Sequence, residues 1–269
     1  MILVACSSQE TASRNAAQAL IRLAGLEETG PGRYASGAML LRVVDSSLPM
    51  AQGLDGEGAE LIIFMSRHSS AAGVSAFTVH PMGNWGPQAR LGGLAHTLST
   101  AAPSPMLGML RMFERSRIKM EVTYETTHHG PALTTPSLFA EFGGNEATVG
   151  NPEIAGELAR IVYEAATRLS DGKEGFEHSK VAMGIGGTHY PKKFTELALR
   201  RGYAFSHMMS KHAILNPDGT NNIEMLDQAA RSSQERVEAA VIDWKSISSA
   251  ARAAAIKKLN EIGIDYERI

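Results

Sequence analysis

Histidines, carboxylates and glycines fall into a few short runs of this sequence, and each run suggests chemistry. The most informative is Glu125–Thr126–Thr127–His128–His129–Gly130–Pro131. Two imidazoles beside a carboxylate can move a proton or ligate a metal ion. Neighbouring side chains of an extended strand point to opposite faces. His128 and His129 can therefore serve one centre only if the strand has already broken, which Gly130–Pro131 permits. The second run is Gly184–Ile185–Gly186–Gly187–Thr188–His189–Tyr190–Pro191–Lys192–Lys193. Here an apolar strand leads into glycines whose amides can hold an oxyanion or a phosphate, then a histidine, a tyrosine and two lysines. Its spacing matches neither a dinucleotide fingerprint nor a P-loop.

Three weaker signals accompany these. Ser66–Arg67–His68–Ser69–Ser70 follows the apolar run Leu61–Met65, where open α/β sheets place ligand contacts. His80 ends the next apolar stretch and is followed by Gly83–Asn84, a close-approach glycine and a side chain that both donates and accepts. Ser206–His207 and Lys211 could add a donor and a phosphate contact, and a structural role explains them equally well. His96 lies in an apolar stretch and reads as structural. Taken singly, each run could also be a turn or a helix cap.

The elements that must position these groups alternate between strand and helix patterns. Strands are predicted at Ile2–Ala5, Ala38–Val44, Leu61–Met65, around Phe77–Val79, and at Ile118–Tyr124, Leu138–Phe142, Val181–Ile185 and Ala239–Trp244. Ser7 and Glu10 have capping-box spacing, which predicts a helix from there to about Ala24, with Ala16, Ala19, Leu20 and Leu23 inward and Gly25 as its stop. Further helices are predicted from Ser104–Pro105 to about Arg117, from Asn151–Pro152 along the stripe Ile154, Leu158, Ile161, Val162, Ala165 and Leu169, over Phe194–Arg201, and from Ser248 to Ile262. This alternation implies a three-layer α/β/α sandwich around a mixed sheet. With no repeat and no clear linker, one catalytic domain spanning residues 1–269 is expected.

Composition removes several classes. An apolar fraction of 43% over 269 residues suits a folded protein. No segment reaches the ~18–20 apolar residues of a membrane span, and the apolar start is too short for a signal peptide. The single Cys6 suits a reducing compartment, so a cytoplasmic setting is expected, and it excludes a cysteine-rich zinc module. A net charge of −2 gives no global attraction to nucleic acid. A local basic segment exists, with Lys192, Lys193, Arg200, Arg201 and Lys211 against Glu196. Its plain alternative is a solvated face.

Taken in order, Ser66–Arg67–His68–Ser69, Thr78–Val79–His80 with Gly83–Asn84, Thr127–His128–His129–Gly130–Pro131, Glu141, and Gly184–Ile185–Gly186–Gly187–Thr188–His189–Tyr190 resemble the D-aminoacyl-tRNA deacylases of the archaeal and plant type. The resemblance runs from the Ile2 strand to about Leu215. It implies hydrolysis of the ester joining a D-amino acid to the 3′ end of tRNA, a phosphorylase/hydrolase-like fold, and an association with zinc. Aminoacyl-tRNA is then the partner, with no membrane and no obligate protein partner expected. His128, His129 and His189 would position water directly or through Zn²⁺, with His68 and His80 as further catalytic candidates. His128 and His189 are the first candidate ligands, with Glu125 or Glu141 as ligand or supporting partner. Amides of Gly186 and Gly187 would hold the oxyanion, and Arg67, Lys192 and Lys193 phosphate. Ser69, Asn84, Gly130, Tyr190, His207 and Lys211 complete the candidate substrate contacts. No Gly-x-Ser-x-Gly elbow suggests a covalent acyl-enzyme. Two alternatives stay open: a nucleoside phosphorylase-like or other metal-dependent hydrolase on a similar fold, and a noncatalytic tRNA-binding module.

Overall fold

The computed structural model describes residues 1–69, 73–172 and 176–269. An eight-stranded mixed sheet forms from β1 (Ile2–Ser7), β2 (Glu27–Gly30), β3 (Arg33–Ser36), β4 (Met39–Val44), β5 (Leu61–Ser69), β6 (Ala76–His80), β9 (Glu121–Tyr124) and β10 (Ser137–Gly144). Its order is β2-β3-β4-β1-β5-β10-β6-β9. The short strands β7 (Gly83–Asn84) and β8 (Thr97–Leu98) pair with each other. A second, four-stranded parallel sheet has the order β12-β11-β13-β14, built from β11 (Lys180–Ile185), β12 (Tyr203–Met209), β13 (Ala239–Ile242) and β14 (Asp265–Arg268). The helices are α1 (Thr11–Ala24), α2 (Pro103–Glu114), α3 (Glu146–Val149), α4 (Pro152–Ser170), α5 (Lys192–Arg201), α6 (Leu226–Arg231) and α7 (Ser249–Glu261). None is long and apolar enough to cross a membrane.

The expected α/β architecture, a large mixed sheet flanked by helices, is what forms. Central β1 is buried along its whole length, and β5 and β4 lie parallel on either side of it. Alternate residues of these strands enter two cores. Val4, Ile63 and Leu41 pack toward α1, α2 and α4. Leu3, Ile62 and Phe64 pack under two 3-10 turns, Leu48–Met50 and Leu54–Glu57, where Phe64 stacks on Phe139 at 4.5 Å. Fully burying each such side chain contributes roughly 1.5–3 kcal/mol.

Several local signals act as the sequence suggests. Asn151 caps α4 by accepting from the amides of Glu153 and Ile154, and the predicted stripe is buried apart from half-buried Leu169. Gly25 ends α1 at φ 58°, and Ser248 caps α7 by accepting from Ala251 N. Others differ. The predicted Ser7–Glu10 capping box does not form, because Ser7 Oγ donates to Ser46 O while the Glu10 carboxylate makes no capping bond and accepts from Ser66 Oγ instead. In α1, Ala12, Ser13 and Ala17 are buried and Leu23 is exposed. Ser13 Oγ takes that inner position because it bonds both Ser7 N and Met65 O. The strand predicted from Ile118 begins only at Glu121.

Candidate active site

The centre of the site is Glu125, the first residue after β9. It is 2% exposed, and both its oxygens face imidazoles. Oε2 lies 2.6 Å from His189 Nε2 and 3.6 Å from His128 Nε2. Oε1 lies 2.8 Å from His68 Nδ1, out of line for a hydrogen bond, so that contact is electrostatic. His68 sits on β5, three strand positions from β9. On a flat sheet they would be ~14 Å apart, so the sheet must coil for the two side chains to meet. The loop beyond Glu125 is held by the second sheet. Thr126 N donates to His189 O, Thr127 N to Met208 O, and Met208 N to Thr127 Oγ1.

The strand has indeed broken before the histidine pair. His129 takes φ 43°, and the His128 and His129 rings lie 4.3 Å apart in one cluster with His80 and His189. Backbone carbonyls fix their tautomers. His128 Nδ1 donates to Thr126 O at 2.8 Å and His129 Nδ1 to Gly130 O at 2.6 Å. Each ring therefore keeps an accepting lone pair on Nε2. Burial, and then the neighbouring His80, hold His128 well below the usual histidine pKa and His129 down to about 4. Both are neutral at physiological pH.

A second carboxylate supports the cluster from below. Glu141 Oε2 lies 3.8 Å from His80 Nε2, while His80 Nδ1 donates to Pro81 O. Burial alone would lower the pKa of His80 and of His68. Glu141 and Glu125 respectively outweigh it, and both values are raised. Burial would raise Glu125, yet contact with His189 and His68 drives it well below the usual carboxylate range.

These groups supply three sets of donor atoms that could hold a metal ion, with the atoms of each set within 4.8 Å of one another: Glu125–His128–His189, His80–His128–His129 and His68–Glu125–Glu141. The first fits best. It offers two imidazoles and a carboxylate beside open space, and the pinned Nδ1 of His128 leaves Nε2 as the ligand atom. His68 Nδ1, His80 Nε2 and Glu125 Oε1 are buried without a hydrogen-bond partner, so the interior holds unspent polar capacity next to this set.

His128, His129 and His189 line a cleft of about 330 Å³ together with Asn84, Trp85, His212 and Asn216. Of the other expected contacts, Tyr190 reaches the cluster, its ring 4.9 Å from His189 and its hydroxyl 3.4 Å from His68 Nε2. Asn84 lines the cleft but spends its amide on Gly92 O and Leu94 O. Several others are placed elsewhere. Because β5 continues to Ser69, strand alternation turns His68 inward and Arg67 and Ser69 out to solvent; Ser70 lies outside the described residues. The Gly186 amide donates to Met209 O and that of Gly187 to Ser246 Oγ, so neither is free to act as an oxyanion donor. Gly130 is a packing glycine: a Cβ there would lie 2.1 Å from Gly93 N. His207 is fully buried, donating from Nε2 to Ser99 O and Ser232 O, with burial pushing its pKa down to about 4. It fastens β12 beneath the site. Lys193 is held by Asp243 at 2.6 Å, Lys192 lies 3.8 Å from Glu121, and Lys211 is exposed with its amide on Gly187 O.

Some site residues had no clear sequence signal. Glu10 looked like a capping residue, yet burial and then Glu141 raise its pKa, which places it at the edge of the carboxylate–histidine network. His212, Asn216 and Asn222 line the cleft through a loop fixed by the reciprocal Asn216–Asn222 amide pair. The Asn216–Pro217–Asp218–Gly219 turn was the one hint of it.

A mixed α/β sheet with a carboxylate-centred histidine cluster at an open cleft is a hydrolase-type arrangement, one equipped to handle water and protons. The family model for D-aminoacyl-tRNA deacylase matches residues 55–267, and the chain belongs to that family. Similar proteins named D-aminoacyl-tRNA deacylase come from Pyrococcus furiosus (40% identical over 77% of this chain and 73% of the relative) and Thermococcus kodakarensis (35% identical over the full length of both). A crystal structure described as a conserved protein of unknown function, AF0625, is 31% identical and superposes with a TM-score of 0.88 over 100% of this chain and 95% of that one.

Proposed function

We propose that this protein hydrolyses the ester between a D-amino acid and the 3′ end of tRNA, acting as one catalytic unit over residues 1–269 in the cytoplasm, where aminoacyl-tRNA is met. The observation that carries the reading is the Glu125-centred histidine cluster opening onto a cleft, in a chain of this family. An aminoacyl ester is already activated, so the site must mainly place a water and manage its proton. His128 and His129 present neutral Nε2 lone pairs to the cleft and accept hydrogen bonds from that water. As the water oxygen bonds to the ester carbon, its proton passes to a histidine and Glu125 stabilises the imidazolium formed. The bond to the ribose oxygen then breaks, and that oxygen takes up a proton. His189, held by Glu125, faces the same space.

Glu125, His128 and His189 are the residues that would hold zinc, which when bound supplies a Lewis acid and lowers the pKa of a bound water to ~7. Nothing in the geometry favours a phosphorylase, and a binding module would not need the cluster. Metal content, tRNA binding and single-turnover ester release in wild type, His128→Ala and His189→Ala test the reading. The rate should fall at least ~100-fold in both variants with tRNA affinity retained. Near-normal rates in both would remove the histidine site, and full activity in zinc-free wild type would remove a catalytic metal.

A further inference from the structure

The segment His189–Lys193 contributes to three depressions. The catalytic cleft includes His189. The next residues of the chain, Tyr190 to Lys193, line a second depression of about 320 Å³ together with Gly187 and Thr188. Lys193 is shared with a third, of about 470 Å³, whose walls include Arg200, Arg201 and Arg268, with Glu196 as its acidic side chain.

The charges along this track are not equivalent. Lys193 is neutralised by Asp243 and Lys192 approaches Glu121. Among the described residues, no carboxylate pairs with Arg200, Arg201 or Arg268 in an ion pair. Arg200 and Arg201 end α5 and are exposed. Arg268 is held over the Trp244 indole at 4.1 Å, with Arg252 over the same ring at 4.8 Å, and its Nη2 donates to Tyr266 Oη. With the ring on one side and one hydrogen bond to Tyr266 Oη, most of the Arg268 N–H groups have no acceptor among the described residues. The group is therefore pre-organised for two-point contact with a phosphate. Three guanidiniums without a close ion pair line one groove, Arg201 with the Glu267 carboxylate in its field, and in a chain of net charge −2 they form a local exception to the whole molecule's charge.

We propose that this groove docks the phosphate backbone of the substrate RNA, with Arg200, Arg201 and Arg268 binding the phosphates and the Tyr190–Lys193 depression carrying the strand onward to the cleft. The inference rests on the aminoacyl-tRNA reading above and shifts the electrostatic attraction from the lysines to the arginines. The occupant is a polyanion by charge complementarity, and RNA by continuity with the cleft that receives its 3′ end.

The test uses wild type, Arg200→Ala/Arg201→Ala, the triple variant with Arg268→Ala, and Arg22→Ala on the exposed surface of α1 as control. Binding of uncharged tRNA is measured at several salt concentrations. Hydrolysis of 3′-O-D-aminoacyl-adenosine, which has no phosphate backbone, is measured in parallel. The triple variant should bind tRNA at least ~10-fold more weakly, and its salt slope should fall by about one for each phosphate left unneutralised. The double variant should show a smaller change in the same direction, with the rate on the adenosine ester and the Arg22→Ala protein unaffected. Unchanged tRNA affinity and slope in the triple variant would overturn the docking groove while leaving ester hydrolysis standing. An inert ester in wild type would instead remove the catalytic reading, and binding alone would then judge the groove. The double variant leaves the Trp244 stack intact, so a packing defect from Arg268→Ala is separable.

Discussion

Glu125 is a carboxylate almost without solvent, and its charge is kept by His189 and His68 rather than by water. Removing one partner of a buried charge pair typically costs ~3–5 kcal/mol, because the other charge is left uncompensated. Glu125→Gln should therefore lower stability by about 3 kcal/mol at pH 6 and ester release by at least ~100-fold, measured by denaturant unfolding and single turnover. The pH window follows from both shifts. Glu125 is depressed, so its contribution is present above its ordinary value of 4.5 and fades as pH falls toward its lower folded pKa. His68 is raised, so its contribution is complete below 6.5 and is lost as pH rises through its higher folded pKa. The penalty of Glu125→Gln should be largest between those limits; a penalty independent of pH would contradict the pairing. From sequence, the histidines and Glu125 were legible as candidates because imidazole and carboxylate types advertise their chemistry. The hub role of Glu125 was not, because His189 is 64 residues away and His68 reaches it only by coiling of the sheet.

At the scale of elements, the helical layer is latched by another buried carboxylate. Glu157 of α4 accepts from Ser116 Oγ, from Arg117 N beyond the end of α2, and from Arg160. Arg160, then the hydrogen bonds from Arg117 and Ser116, bring its pKa down to about 2 despite burial. Because the folded value is depressed, this stability is present above 4.5 and lost as pH falls toward 2. Glu157→Gln should cost about 2–3 kcal/mol at pH 7, with the gap to wild type shrinking in acid and activity of the folded protein retained. A constant gap would show that packing, not charge, does the latching. Strong local signals were readable here: the Asn151 cap, the Gly25 stop and the buried runs of β1, β5 and β11. Weak ones were not. The β2–β3 hairpin is an exposed edge without apolar alternation, and β12 hides Ser206 and His207 in a fully buried stretch because their polar atoms find backbone partners.

For the whole molecule, the sequence pattern pointed to one mixed sheet, and the structure contains a second, parallel one. Pattern alone could not separate them, since both contribute similar buried runs, and membership is decided by long-range pairing such as β11 with β13 and β13 with β14. The division matters for function. The large sheet carries Glu125, His68 and His80, the 187–193 segment and the arginine groove belong to the smaller one, and the cleft lies where the Thr126–Thr127 segment joins them. In the proposed reading, selection against the ordinary L-amino acid comes from the walls of that cleft, by a clash or an unpaired polar group facing the L side chain. The most direct measurement is single-turnover ester release from one tRNA charged in parallel with the D- and the L-form of the same amino acid. Faster release of the D-amino acid is the predicted result, and equal rates for the two forms would contradict it.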